Sequence, residues 1–314
     1  MAMKAIMYHY VRPFDPEYPN FTNLDIEDFR KQLDYFEQTF GFVSKDDFLN
    51  SFTSKNLPKG VILTFDDGLS CHYNYVFPEL QKRNLWGIFY IPTSPFTKFK
   101  MLDVHRTHLL LGKFDSNEIY SFIKGILTDS MLDNSKIEEF KLFTYNSQIN
   151  DQYTLLVKRL MNYFIDYQFR TKIMDSLMEH FLPNESEICN NFYLSSKQIN
   201  EMHLNNMVIG SHTVNHPVMS RLNEAEQEFE IAQSFKYLES VTSALDHKTF
   251  CYPYGGFHSF NDITIRLLNN TACKYSFNVE HRDIELRDLR NSPQALPRYD
   301  CNQFEHGQIR NRII

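Results

Sequence analysis

Two adjacent aspartates end an apolar run in GVILTFDDGLS, residues 60–70. Like charges as close as Asp66 and Asp67 repel, so one needs a partner or a raised pKa. The plain reading is a turn, because Asp-Gly is a common turn dipeptide. The other reading is a metal site. A second loaded stretch, GSHTVNHP at 210–217, carries His212 and His216 four residues apart. A helical turn there would put both imidazoles on one face, with Pro217 in the first turn of a following helix. Two histidines and one carboxylate make a common catalytic metal site with three protein ligands and a fourth position left for water. Neither stretch alone is strong evidence, but the two together favour the metal.

These residues need elements to position them. KAIMYHY (4–10), GVILTF, WGIFYI (86–91), NMVIGSH, KTFCYPYGG, CKYSFNV and QALPRYDC read as strands. Ile26, Phe29, Leu33, Phe36 and Phe40 recur at helical spacing, with Asp25 as N-cap. SSKQINEM, capped by serine, and NEAEQEFEIAQSFKYLESV read as further helices. Strands alternating with helices predict βα units and a parallel sheet. Catalytic groups then gather at the carboxyl ends of the strands. His9, Asp66–Asp67, His212 and Tyr254 each follow an apolar strand. From 97 to 190 glycine becomes rare and long helical patterns dominate, which predicts a helical insertion within a single catalytic domain spanning 1–314.

The chain has 314 residues and is 42% hydrophobic, enough for a sizeable core. A net charge of -7 argues against a nucleic-acid footprint, which is normally basic. Five cysteines, with no CxxC pair, argue against a disulfide framework and suit a reducing cytosol. No segment reads as a signal peptide or a membrane span, so a soluble cytoplasmic protein is expected.

TFDDG, SHTVNH and CYPYGG, in that order, resemble the polysaccharide deacetylases of the NodB-homology group. The resemblance covers most of 1–96 and 191–314. It implies an α/β fold, a distorted (β/α) barrel, here with a large helical insertion. It also implies a metal-dependent hydrolase that removes an N-acyl group, chiefly acetyl, from an amino sugar. Carried over by motif, Asp66 is the catalytic base, and Asp67, His212 and His216 are the metal ligands. A water on the metal then attacks the acyl carbon while Asp66 takes its proton. The oxyanion is held by the metal and the backbone N–H at Tyr254. Zinc is the default ion, though cobalt, nickel or iron fit the same ligands.

Two departures stand out. The family's third motif often carries an arginine that holds the base, and by alignment on PYG that position is Cys251. A branch with an FAYPYG-like motif also lacks it, and Arg298, in LPRYD at a late strand end, is the candidate replacement. The family's late LxH histidine, its general acid, is also missing. His9 leads the candidates by topology, with His281 and His306 behind it. Arg12, Asp300 and Asn302 are weaker candidates for lining the site. His72, after the DDGLSC turn, is expected at the surface or else near the substrate, and His105 and His108 are expected to be structural or substrate-facing. Thiol catalysis by Cys71 or Cys301 is not expected.

The same site would serve a deformylase or an O-acetyl esterase. A non-catalytic carbohydrate-binding relative is a further alternative, although such relatives typically lose the base or a ligand. A two-histidine, one-carboxylate iron oxygenase usually draws a histidine and its acid from one H-x-D/E element, which this chain does not show. A cytoplasmic location suggests a nucleotide- or lipid-linked sugar in surface-polysaccharide biosynthesis. The insertion is a candidate lid or a contact between copies of the chain.

Overall fold

Seven short parallel strands order the molecule: β1 (Met3–Tyr8), β2 (Gly60–Phe65), β3 (Ile88–Ile91), β4 (Val208–Ser211), β5 (Thr249–Cys251), β6 (Tyr275–Phe277) and β7 (Tyr299–Asp300). Their spatial order is β6-β5-β4-β3-β2-β1-β7. The computed structural model describes residues 3–54, 56–135, 137–145, 150–245 and 247–308.

Parallel strands are covered on both faces and read as continuous apolar runs. β2 is the clearest case, with all six residues buried. Val61, Leu63 and Phe65 pack on the outer side with Phe29, Leu33 and Phe36 of the helix Ile26–Thr39. Burying each of those side chains stabilises the fold by about 1.5–3 kcal/mol. Asp25 caps this helix by accepting from the Glu27 N–H. Ile62 faces the other way, into a cluster with Ala5, Ile88, Tyr90, Val208, Cys251 and Phe277. Side chains alternate along a strand, so Thr64 and Asp66 follow Ile62 to the inner side.

The two sheet edges meet through one segment. Leu296 bonds β6, its N–H donating to the Ser276 carbonyl at 2.9 Å and its carbonyl accepting from Asn278 at 3.0 Å. Three residues later, Tyr299 and Asp300 pair with Ile6 and Met7 of β1. The curled sheet is thereby the distorted (β/α) barrel that the motifs imply. Arg298 lies at this seam, ahead of β7 rather than at the strand's carboxyl end as the sequence suggested. Gly210 in β4 lets the interior close, because a Cβ there would lie 2.5 Å from the Tyr90 ring.

Two compact units divide the chain. Among the described residues, one comprises 3–13, 23–98 and 191–308 and contains the barrel. The other comprises 14–22 and 99–190 and is helical. Its helices Asp103–Lys113, Ser116–Ile126, Gln152–Arg159 and Tyr167–Phe181 bury Leu109, Ile119, Ile123, Val157 and Leu177. Within it Arg106 is 1% exposed and is held by Asp103, Asp175 and Glu185 at 3.0, 3.0 and 2.7 Å. His105, fully buried, and the half-buried His108 sit in the same helix as that network. Among the described residues, no helix is long and apolar enough to cross a membrane.

Candidate active site

β2 ends where its two carboxylates part. The Asp66 N–H still follows the sheet, donating to the Tyr8 carbonyl at 2.9 Å. Asp67 then takes φ 83° and Gly68 φ 61°. Aspartate is among the few residues that enter this left-handed region readily. The reversal gives each carboxylate a separate environment.

Asp66 faces inward and meets Arg298. Nη1 donates to Oδ1 and Nη2 to Oδ2, each at 2.8 Å, in a bidentate pair with both side chains at most 3% exposed. Arg298 also donates to Thr64 Oγ1 at 3.0 Å and to the Asn278 carbonyl at 3.3 Å. Its guanidinium lies 5.9 Å from the Tyr90 ring and 5.8 Å from the Phe277 ring. Burial by itself would raise the Asp66 pKa, but the Arg298 charge and hydrogen bonds outweigh it and hold the group at about 2. Cys251 Sγ accepts from Arg298 Nη2 at 2.8 Å, and the thiol lies 3.5 Å from Asp66 Oδ2. Arg298 therefore reaches Asp66 from the closing seam, while Cys251 occupies the position where the resemblance led us to expect the arginine.

Asp67 meets the histidines. Its Oδ1 is 3.5 Å from His212 Nε2 and 3.4 Å from His216 Nε2, and all three residues are at most 5% exposed. His212 Nδ1–H donates to the Cys251 carbonyl at 2.8 Å, which fixes the tautomer and turns the Nε2 lone pair toward Asp67. Burial lowers the His212 pKa, keeping the ring neutral as a metal ligand must be. In a tetrahedral site with bonds of about 2.0–2.1 Å, neighbouring donor atoms are about 3.4 Å apart. The oxygen-to-nitrogen separations match that edge, so the donor set fits zinc or a similar divalent cation.

The histidines are not on a helical turn. Thr213 and His216 both have left-handed φ, 69° and 56°, incompatible with a right-handed helix. Side chains take the place of helical carbonyls: Ser211 Oγ accepts from the Thr213 N–H at 3.2 Å, and Thr213 Oγ1 from the His216 N–H at 2.9 Å. Pro217 precedes only a short 3-10 turn, Met219–Arg221, rather than opening a helix. The Tyr254 ring stands edge-on to His216 at 4.9 Å, on a backbone with φ 65°.

His9 follows β1, half-buried, and its charge helps lower the Asp66 pKa. His281 and His306 are both exposed. His72, expected at the surface or near the substrate, is fully buried between Phe65 and Phe89. Its Nε2–H donates to the His9 carbonyl at 2.7 Å, and burial pushes its pKa down to about 4. Asp300 caps the Asn302 N–H at 3.1 Å, and Asn302 is exposed. Arg12 is half-buried, and its charge acts on Tyr10, a residue that sequence reasoning missed and that also feels Asp67. Burial raises the thiols of Cys71, to about 11, and Cys301, so neither supplies a thiolate.

Residues 161–276 match the family model described as polysaccharide deacetylase. That span holds His212, His216 and Tyr254 and leaves Asp66 and Asp67 outside. No curated protein matches the chain. Among solved structures, the Streptococcus pyogenes deacetylase PplD in complex with acetate is similar at a TM-score of 0.58 and 17% identity, over 96% of this chain and 92% of that one. IcaB from Ammonifex degensii is similar at 0.54 and 18%, over 95% and 90%. A de-N-acetylase from Aggregatibacter actinomycetemcomitans is similar at 0.52 and 15%, over 95% and 94%. The family model thus matches the part of the chain that carries the second and third motifs, and the fold is shown by these structures.

Proposed function

With the deacetylase match and fold as premise, we propose that this chain is a metal-dependent hydrolase that removes an N-acetyl group from an amino sugar of a polysaccharide. The observation that carries the reading is the division of labour between adjacent carboxylates. Asp66 is held ionised by Arg298, while Asp67 converges with two imidazole nitrogens at 3.4–3.5 Å. A carboxylate whose two oxygens are both engaged by a guanidinium suits a base beside the cation better than a further metal ligand. The likeness to a deacetylase solved with acetate and to a de-N-acetylase supports acetyl on nitrogen over a formyl amide or an ester.

Asp67, His212 and His216 would hold the cation, zinc being the ion their donor types suit best. When bound, it would polarise the acyl oxygen and make water more acidic. Asp66 removes a proton from the attacking water as its oxygen bonds the acyl carbon. Arg298 fixes both carboxylate oxygens, so the lone pair that accepts the proton has one direction. The Tyr254 backbone N–H serves the oxyanion. His9 donates a proton to the departing amine as the C–N bond breaks, leaving acetate and a free amino sugar.

The test is acetate release from N-acetylated amino-sugar oligomers by zinc-loaded protein. Asp66→Asn should keep its zinc and lose turnover about 10²–10⁴-fold. His212→Ala and His216→Ala should lose the zinc. Unchanged turnover in Asp66→Asn, or undiminished zinc in both histidine variants, would refute this assignment.

A further inference from the structure

The loop joining the two histidines enters the left-handed region at Thr213 and again at His216, so no helical bonds hold its middle, Val214–Asn215, and a partner outside the loop must. One buried carboxylate is placed to do this. Glu230 is 5% exposed and lies on the helix Glu224–Thr242. Its Oε2 accepts from the Val214 N–H and the Asn215 N–H, both at 2.8 Å, and its Oε1 accepts from Asn215 Nδ2 at 2.5 Å. Val214 and Asn215 lie between His212 and His216. Four residues on, Ser234 Oγ meets Ser211 Oγ at 2.5 Å, just before His212. Residues four apart share a helix face. One face of this helix thus holds both the strand end and the loop's middle. From the other side, Lys98 Nζ donates to Asn215 Oδ1 at 2.7 Å.

We propose that Glu230 is the positioning residue of the metal centre: it templates the Val214–Asn215 turn and so sets the spacing of His212 and His216. The inference rests on the metal reading of those histidines. Its hydrogen bonds run to Val214 and Asn215, so it acts through the backbone between the ligands. Its carboxylate accepts three hydrogen bonds that no neutral side chain of its size can accept together. In Glu230→Gln the new amide N–H₂ faces donors instead of a lone pair, so at least one contact with the turn becomes repulsive. Partners behind the ligands hold ligand geometry, and losing them commonly lowers metal affinity 10–100-fold.

The experiment measures zinc affinity by chelator competition in wild type, Glu230→Gln, Asn215→Ala, His212→Ala and Ile231→Val. The last is a buried neighbour on the same helix, in the apolar cluster with Met219, Phe235 and Phe250. Glu230→Gln should bind zinc about 10–100-fold more weakly. The d–d spectrum of its cobalt form should shift, and amide exchange at Val214 and Asn215 should speed up in the metal-free protein. Asn215→Ala, which removes one of the three bonds, should show a smaller loss in the same direction. Ile231→Val should leave affinity and spectrum unchanged. If Glu230→Gln folds and binds zinc as wild type does while His212→Ala does not bind, this inference falls and the metal reading stands. If Glu230→Gln does not fold and Asn215→Ala matches wild type, the inference falls as well. If the wild type binds no divalent ion, both fall.

Discussion

Removing the Arg298 guanidinium should expose how strongly the fold works to keep Asp66 charged. The pair is bidentate at 2.8 Å and almost fully buried. Charge centres about 4 Å apart attract by about 4 kcal/mol at an effective dielectric of 20. Desolvation offsets part of this. The fall of the Asp66 pKa from 3.8 to about 2, at roughly 1 kcal/mol or a little more per pH unit, leaves a net stabilisation of about 2 kcal/mol. In a double-mutant cycle of Arg298→Met and Asp66→Asn, the coupling should therefore fall at about 2–4 kcal/mol. Arg298→Met alone should destabilise by about 3–5 kcal/mol, because it strands a buried charge. The measurement is denaturant unfolding of chelator-treated protein, so that no cation stands in for the guanidinium. The pH dependence carries a sign. In wild type the depressed pKa contributes stability that is present above 3.8 and lost only as pH falls through about 2. Between pH 4 and 7 this group adds no slope. In Arg298→Met, burial is opposed only by the smaller effects of His212 and His9 and raises the pKa, so stability should fall as pH rises from 4 toward 7. Asn in place of Asp66 should abolish that slope. A coupling below about 0.5 kcal/mol, or a variant with no pH slope, would show that the ion pair does not set the state of Asp66.

His9→Gln should lower turnover about 10²-fold or more while leaving bound zinc unchanged; turnover within twofold of wild type would remove His9 as the general acid. Gly210→Ala should destabilise by about 1–3 kcal/mol or more by thermal melting, because its Cβ would meet the Tyr90 ring at 2.5 Å. Gly125→Ala, in the helix Ser116–Ile126 with nothing within 4 Å of the added carbon, should instead stabilise by up to about 1 kcal/mol. The two substitutions should thus shift the melting temperature in opposite directions.

The strands and the pairing of motifs were legible because their signals are local. β2 is a continuous apolar run ended by charge, and the helix Ile26–Thr39 carries its stripe at 3.6-residue spacing with a cap in place. The conformation of the histidine loop was not legible, because H-x-x-x-H is the same string whether the chain is helical or left-handed. What holds it is the Ser211 and Thr213 hydroxyls together with three donors satisfied by Glu230, a residue some fifteen positions away. The only trace in the sequence is an acidic residue among the buried positions of its helix, Gln227, Glu230, Ile231, Ser234 and Phe235. His72 escaped for a related reason. A lone histidine after a turn looks solvent-facing until Phe65 and Phe89, from two strands, close around it.

Arg298 shows why a missing motif residue does not imply a missing function. Asp66, the proposed base, has a buried guanidinium at its carboxylate, and the inner face of a curled barrel can be approached from any strand around it. Cys251 on β5 is small and lies 3.5 Å from Asp66 Oδ2, which leaves room for a long side chain from the seam. That side chain must be long, planar and always charged to bridge both oxygens and lie against Tyr90 and Phe277. Lysine would reach one oxygen and lose the fork. Moving the arginine to position 251 and removing it from 298 would then be the strictest form of the argument. Cys251→Arg combined with Arg298→Met should restore part of the Asp66 stabilisation that Arg298→Met loses. Cys251→Arg alone should destabilise, since two guanidiniums would crowd one carboxylate. If the double variant is no more stable than Arg298→Met, the two positions are not equivalent approaches to the same base.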